Sequence, residues 1–206
     1  MLPFVLICWG ILMLQASCAQ APQGQDAQVQ PPWYEGKHVE PVELGAIKNA
    51  SRFGEAVYFG GQVQPQDVEV LRQKGIKTVI NLRRPEEMEQ YPFDEEQMLA
   101  EAGMDYYLIP FGHEVPPEEA SLERIAELLD NPANHPVLLH CGSSNRVGYT
   151  WARFRAGRHD LTLPLALEEG KAAGMRAPHF ETHLKEVVPA EPGSEPSEPD
   201  SSSQEH

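Results

Sequence analysis

The residues with the clearest potential for chemistry lie in one segment, His-Cys-Gly-Ser-Ser-Asn-Arg-Val-Gly at positions 140–148. Small residues can turn successive backbone N–H groups into one concavity, and an arginine in the first turn of a following helix can grip two oxygens of an oxyanion. The same positive field stabilises a thiolate. We therefore predict an anion cradle in which Cys141 and Arg146 are catalytic. The predicted substrate-binding residues are Gly142, Ser143, Ser144 and Asn145.

The charge distribution favours an anion site at this segment. The 206 residues carry 31 acidic and 16 basic side chains, a net charge of −15, yet residues 131–159 contain four arginines and no Asp or Glu. A chain this acidic is not expected to bind nucleic acid, which requires clustered Lys and Arg. Three cysteines make no disulfide framework, and none are paired at zinc-finger spacing. We predict no metal and no cofactor.

The elements that must position this segment alternate between strands and helices. Apolar or β-branched runs predict strands at 57–59, 77–82, 104–109 and 137–140, the last of them covered on both faces. Helical patterns begin at Pro65 and Pro117 and cover 94–102, 146–157, 164–173 and 178–187. The alternation predicts an α/β fold with a mostly parallel central sheet flanked by helices. Ligands bind such sheets beyond the carboxyl ends of the strands, where residues 141–146 lie.

The two ends of the chain differ from its centre. Residues 2–14 are an apolar run of signal-peptide length, and the following Ala-Ser-Cys places Cys18 where a bacterial lipoprotein signal has its lipidated cysteine. We expect a signal peptide at 1–18, a Gln/Pro-rich tether at 19–38, the folded domain at 39–188 and a disordered acidic tail at 189–206. The predicted location is the periplasmic side of the envelope, with a lipid anchor as the membrane contact. Ordinary cleavage after Ala19 and a buried N-terminal helix are the alternatives.

The segment at residues 140–148 resembles the signature of cysteine-dependent protein tyrosine and dual-specificity phosphatases. Segments 58–65, 75–83 and 172–176, with Glu86 and Glu87, are similar to a bacterial branch: the phosphatase-like domain of beta-lactamase-like hydrolases, with relatives fused to NAD kinase. The resemblance implies a dual-specificity-phosphatase-like fold and hydrolysis of phosphomonoesters through a phosphocysteine intermediate. In such an enzyme His140 orients the loop and tunes the thiolate, or, as the last residue of a buried strand, it has a structural role. The expected partner is a phosphorylated protein or a small phosphomonoester.

Four departures from this signature bear on the chemistry. Four residues separate Cys141 from Arg146, where the usual loop has five, and the bacterial branch usually has Gly at the position of Ser144. If this position needs a positive φ, a serine there destabilises the folded state by about 1 kcal/mol or more relative to glycine. Val147 stands where many phosphatases have a hydroxyl that helps the sulfur leave. That help would have to come from Ser143, Ser144 or His140.

The fourth departure concerns the general acid, which is usually an Asp. Residues 110–117 contain no Asp, and the candidates are Glu114 and His113. Arg83 and Arg84 could line the same mouth or form an exposed ion pair with Glu86 or Glu87. Loop length and the missing Asp leave two other hypotheses open, a rhodanese-like sulfurtransferase that carries a Cys141 persulfide and a catalytically inactive anion-binding module.

Overall fold

The computed structural model describes residues 32–114 and 116–189, and this part of the chain contains one mixed sheet. Its strands are β1 (Val39–Pro41), β2 (Ser51–Phe53), β3 (Val57–Gly60), β4 (Thr78–Asn81), β5 (Asp105–Leu108) and β6 (Val137–His140). From edge to edge the order is β1, β2, β3, β6, β4, β5. The pairs β3–β6, β6–β4 and β4–β5 are parallel, whereas β1–β2 and β2–β3 are antiparallel. The predicted mostly parallel sheet is confirmed.

Helices cover both faces of this sheet. They are α1 (Val68–Gln73), α2 (Pro85–Met88), α3 (Glu95–Glu101), α4 (Glu119–Asp130), α5 (Asn145–His159), α6 (Leu163–Ala172) and α7 (Pro178–Val187). Asp94 caps α3 because its carboxylate accepts the backbone N–H of Gln97 at 3.0 Å. The helix expected from Pro117 begins two residues later, since Glu118 is still extended.

The alternation of side chains along β6 divides the core into two layers. Val137, Leu139 and Cys141 pack in one layer with α4, α5 and α7, whereas Leu138 packs in the other layer with α1 and α3. All four residues of β6 are buried, as the apolar run predicts. His140 shares the parity of Leu138, so consecutive residues at the end of β6 project to opposite faces.

The packed part of the chain begins within the segment assigned to the tether. The Trp33 ring stacks on Phe154 with centroids 6.3 Å apart and meets the edge of Phe53 at 6.1 Å. These aromatic contacts anchor residues from 32 onwards against the core. The expected signal peptide, most of the tether, Cys18 and the acidic tail from residue 190 lie outside the described residues. Within 32–114 and 116–189, no helix combines the length and apolarity needed to span a membrane.

Candidate active site

The carboxyl end of β6 continues directly into the turn that carries the predicted cradle. Cys141 is buried, and its backbone N–H donates to the carbonyl of Gly60 at the end of β3 (3.2 Å). Gly61 and Ser143 then form an isolated antiparallel bridge. A Cβ at Gly61 would lie 3.1 Å from the carbonyl oxygen of Gly142, so a larger residue would push the turn away. The neighbouring parallel strand therefore fixes the residues that follow Cys141.

Ser144 has the left-handed backbone conformation that strains a residue other than glycine. Its φ is 68° and its ψ 0°, and it is the residue from which α5 starts. Its hydroxyl donates to the carbonyl of Ala173 at 2.8 Å, and a Cβ on Gly174 would lie only 2.6 Å from the Ser144 Cβ. Ser144 is thus a strained residue held in place by the turn after α6. Its hydroxyl is hydrogen-bonded to Ala173, which lies outside the turn that begins at Cys141.

The remaining turn residues are tied to surrounding segments. The Asn145 side-chain oxygen accepts the backbone N–H groups of Arg176 (2.6 Å) and Ala177 (2.9 Å). The Ser143 carbonyl accepts from the Asn49 side chain at 3.0 Å and from the Arg176 guanidinium at 2.6 Å. Because these groups are occupied, Asn145 can offer an anion its backbone N–H rather than its side-chain oxygen.

Arg146 is fully buried, and its guanidinium is fixed on one side. Two of its nitrogens form parallel 2.8 Å hydrogen bonds with the Glu87 carboxylate. One of them also donates to the carbonyls of Leu82 (3.0 Å) and Phe111 (2.7 Å). Its Nε is buried and has no partner among the described residues. A buried N–H without a partner is costly, so Nε is a ready donor for a bound oxyanion.

The contact between Glu87 and Arg146 was not indicated by the sequence. Glu87 was predicted only as part of a motif and as one of two ion-pair partners for Arg83 or Arg84, and its carboxylate does lie 3.6 Å from both Arg83 Nε and Arg84 Nε. Burial alone would raise the pKa of Glu87, but hydrogen bonds from Arg146 and from the Arg84 backbone bring it down to about 2. The ion pair of Arg83 is not the exposed one expected, because Arg83 is only 4% exposed, whereas Arg84 pairs with Glu87 from an exposed position.

The two candidate acids lie in the loop after β5. With Arg84 and Gly112, His113 and Glu114 line a cavity of about 350 Å³. His113 Nε2 is 3.5 Å from a Glu87 oxygen, and burial together with the charge of Arg146 lowers the His113 pKa despite the opposing charge of Glu87. Both His113 and Glu114 are exposed. The structure brings His113 to Glu87, the partner of Arg146, and Glu114 lines the same cavity.

His140 lies on the opposite side of β6 from this cavity. It is fully buried, and its Nε2 is 3.5 Å from Glu95 Oε2. Within the described part of the chain, no three His, Cys, Asp or Glu residues are grouped as metal ligands. The arrangement is a buried cysteine at the start of a short turn and a buried arginine in the first turn of α5, with Arg83 and Arg84 near that arginine's carboxylate partner.

Comparison with known proteins gives one family and one fold. Residues 38–179 match the family described as DSP-PTPase phosphatase fused to NAD+ kinase. The crystal structure of TpbA from P. aeruginosa is similar, with a TM-score of 0.59 and 20% identity over 73% of this chain and 91% of TpbA. The catalytic core of the PP-IP phosphatase SIW14 from S. cerevisiae has a TM-score of 0.57 and 20% identity over 69% and 87% of the two chains.

A further similar structure contains a ligand. It is a TpbA variant in complex with pTyr, with a TM-score of 0.53 and 20% identity over 73% of this chain and 97% of that chain. No curated protein sequence matches this chain. At these identities the structural similarities establish a shared fold, the predicted dual-specificity-phosphatase-like one.

Proposed function

Since this chain belongs to the family of cysteine-dependent phosphatases of the type found fused to NAD+ kinase, we propose that it hydrolyses phosphomonoesters through a phosphocysteine intermediate. The observation that carries this proposal is the state of Arg146. Its guanidinium is anchored by Glu87 while Nε remains buried and unpartnered in the described structure, at the other end of the turn from Cys141. A donor preorganised in this way stabilises charge without further reorganisation during the reaction.

The first step forms a covalent intermediate. The Cys141 thiolate attacks phosphorus, the S–P bond forms, and the bond from phosphorus to the leaving oxygen breaks. Backbone N–H groups of residues 142–145 and Arg146 Nε hold the non-bridging oxygens. The leaving oxygen takes a proton from His113 or Glu114, which line the adjacent cavity.

The second step restores the enzyme. Water attacks phosphorus and gives a proton to the group that acted as acid, the S–P bond breaks, and phosphate leaves with the Cys141 thiolate regenerated. Val147 has no hydroxyl to assist the departing sulfur, and the Ser144 hydroxyl already donates to Ala173. Ser143 and His140 remain the candidates for this assistance.

The local charge supports a doubly charged phosphate as substrate. Three guanidinium groups, those of Arg83, Arg84 and Arg146, share the single carboxylate of Glu87, which leaves an excess of positive charge in an acidic protein. Such a site attracts a phosphomonoester dianion. The TpbA variant bound to pTyr supports a phosphorylated protein or a small aryl phosphate as the substrate class.

We also propose that the enzyme is exported and anchored by lipid on Cys18. Support comes from the apolar run at residues 2–14 followed by Ala-Ser-Cys and a Gln/Pro-rich segment long enough to separate the domain from a membrane. Mass spectrometry of the mature N-terminus tests this. A lipid-modified Cys18 is the expected result, and a chain that begins at Gln20 or retains Met1 contradicts it.

The reaction is tested by assaying the purified chain and its Cys141→Ser variant against an aryl phosphate. The same proteins are assayed with thiosulfate and cyanide. We expect phosphate release that falls below a few per cent in the variant, while binding of inorganic phosphate persists because a hydroxyl is near-isosteric with the thiol. Thiocyanate formation without phosphate release would instead establish the sulfurtransferase. Phosphate binding without either activity would establish an inactive anion-binding module.

A further inference from the structure

A second carboxylate is buried close to the active site, on the other side of the sheet from Cys141. Glu95, the first residue of α3, is 3% exposed. Its Oε1 accepts from Gln62 Nε2 at 2.7 Å, and its Oε2 accepts from Asn81 Nδ2 at 2.6 Å and from the Tyr106 hydroxyl at 3.2 Å. His140 Nε2 lies 3.5 Å from the same Oε2. Four side chains from three strands and one loop thus converge on one carboxylate.

Glu95 is ionised although it is buried. Burial raises its pKa, but the electrostatic attraction of the nearby His140 ring and the hydrogen bonds from Tyr106 and Asn81 outweigh burial and hold the pKa of Glu95 below its ordinary value. Removing a carboxylate from water is expensive, and a well-packed apolar side chain is often at least as stabilising. A buried charge of this kind therefore calls for a role besides holding α3 in place.

One contact of the Glu95 carboxylate is to His140, the residue before the nucleophile; we call it the His140 arm. His140 is the chain neighbour of Cys141, and neither of its ring nitrogens has a hydrogen-bond partner among the described residues. At 3.5 Å the Glu95 carboxylate attracts the ring by charge rather than through an ordinary hydrogen bond. In a buried site such attraction is stronger than in water.

Glu95 is also connected, through two sets of hydrogen bonds, to Arg83 beside Gly142, the residue after the nucleophile; we call this connection the Arg83 arm. Gln62, which donates to Glu95, accepts a short hydrogen bond from the Arg83 guanidinium. Asn81, which also donates to Glu95, accepts the backbone N–H of Arg83 at 2.8 Å. Arg83 Nε lies 3.9 Å from where a Cβ on Gly142 would stand. Through these routes Glu95 fixes a cation beside the turn.

We propose that Glu95 is a positioning residue for the phosphatase reaction, because its carboxylate joins His140 on one side of Cys141 to Gln62 and Arg83 on the other. This role rests on the proposed function. The His140 contact holds the imidazole ring next to the nucleophile, and the contacts through Gln62 and Asn81 hold the Arg83 guanidinium against Gly142. Both arms start from one carboxylate, so the thiolate and the anion site are coupled.

The direction in which Glu95→Gln should shift the Cys141 thiolate equilibrium depends also on the other charged or titratable groups at this site. They are Arg83 after β4, Glu87 on α2, Tyr106 on β5 and Arg146 on α5. Burial raises the pKa of Tyr106, so its hydroxyl stays neutral. In Glu95→Gln the His140 ring loses the charged group beside it, so the turn that follows His140 is held less firmly and its N–H groups stabilise the thiolate less well. Because Glu95 lies on the other side of the sheet from Cys141, we expect this loss to outweigh the removal of the Glu95 charge and to disfavour the thiolate.

The test is a titration of the Cys141 thiolate in the full chain, followed by its absorbance near 240 nm after subtraction of the Cys141→Ser spectrum. In Glu95→Gln we expect the midpoint to rise by roughly half a pH unit or more. The charge-retaining Glu95→Asp should recover part of the shift. Glu96→Gln is the matched control, because Glu96 is the exposed neighbour on the same helix, and its midpoint should equal that of the unaltered chain.

A second variant tests the Arg83 arm without removing the buried charge. Gln62→Met cuts the link to the Arg83 guanidinium, and we expect inorganic phosphate to bind at least about threefold more weakly, measured by calorimetry, with an unchanged thiolate midpoint. If Glu95→Gln does not fold, as judged by circular dichroism, Gln62→Met carries the test alone. Unchanged phosphate affinity in Gln62→Met would overturn the proposal.

The thiolate titration separates this proposal from the proposed function, since it needs no turnover. A midpoint in Glu95→Gln that stays at, or falls below, the Glu96→Gln value means that Glu95 does not act through His140. If the unaltered chain releases no phosphate while the midpoint still shifts as expected, the proposed function fails but the coupling of Glu95 to Cys141 stands. In an active chain, kcat for an aryl phosphate should fall about tenfold in Glu95→Gln.

Discussion

The Glu87 carboxylate accepts two parallel hydrogen bonds of 2.8 Å from the Arg146 guanidinium, although 59 positions separate the two residues in the chain. This fork is the geometry in which an arginine is most strongly and most specifically held by a carboxylate. It orients the guanidinium before any substrate arrives. The anion site therefore depends on a residue outside the turn that carries Cys141.

The first prediction concerns the stability that this pair contributes. Because the Glu87 pKa falls from an ordinary 4.5 to about 2 on folding, its contribution is fully present above pH 4.5 and is lost as the pH falls towards 2. Glu87→Gln should lower the free energy of unfolding at pH 7 by about 1–2 kcal/mol, allowing for solvent screening of a partly exposed pair. Urea unfolding at a series of pH values measures both effects.

Glu86→Gln is the control for this prediction, since Glu86 is the exposed neighbour of Glu87. It should lose stability between pH 4.5 and pH 2 as the unaltered chain does. The Glu87→Gln chain should lose less over the same interval, because the group that titrates is gone. An identical pH dependence in all three proteins would show that the Glu87 pair contributes nothing to folding.

The second prediction concerns backbone strain at Ser144. Both Ser144→Gly and Ser144→Ala lose the hydrogen bond to the Ala173 carbonyl, but only glycine relieves the φ of 68°. The glycine variant should therefore be more stable than the alanine variant by about 1 kcal/mol in denaturant unfolding. Equal stabilities would mean that the left-handed conformation is not strained in solution.

The third prediction identifies the general acid by its dependence on the leaving group. If His113 is the acid, His113→Gln should slow alkyl phosphates by roughly 10²-fold or more and barely affect aryl phosphates with acidic phenols. Since burial and Arg146 lower the His113 pKa, the rate should then fall with rising pH from below pH 6.5. Initial rates on the two substrate classes, measured across pH, provide the test.

If Glu114 is the acid, the same contrast appears in Glu114→Gln and is absent from His113→Gln. Each variant thus serves as the control for the other, because both residues line one cavity. If neither variant discriminates between leaving groups, this loop supplies no acid. The sulfurtransferase and the inactive anion-binding module would then be favoured over the phosphatase.

The parts of the site that could be predicted from sequence are local. The apolar run of β6, the small-residue turn and the helix starting near Arg146 are consecutive, so their pattern specified the position of Cys141 correctly within the fold. Strands β1 and β2 were not predicted, because three residues are too short to show a period. Trp33 packs on the core although its neighbours have the composition of a linker.

The parts that could not be predicted depend on pairing between distant segments. Glu87 and Glu95 belong to short helices rich in acidic residues, and composition alone does not separate them from the exposed Glu86 and Glu96. One signal was available for Glu95. It lies four residues before the buried Leu99, on the same face of α3. A charged residue on an apolar helical face is a reason to look for a buried partner.

The phosphocysteine intermediate is tested most directly by a rapid denaturing quench of the enzyme at alkaline pH during hydrolysis of an aryl phosphate, followed by peptide mass spectrometry. We expect a phosphoryl group on the peptide that contains Cys141, attached to the cysteine sulfur and absent from Cys141→Ser. A phosphoryl group on another residue would contradict it. So would phosphate release by Cys141→Ser at a rate comparable with that of the unaltered chain.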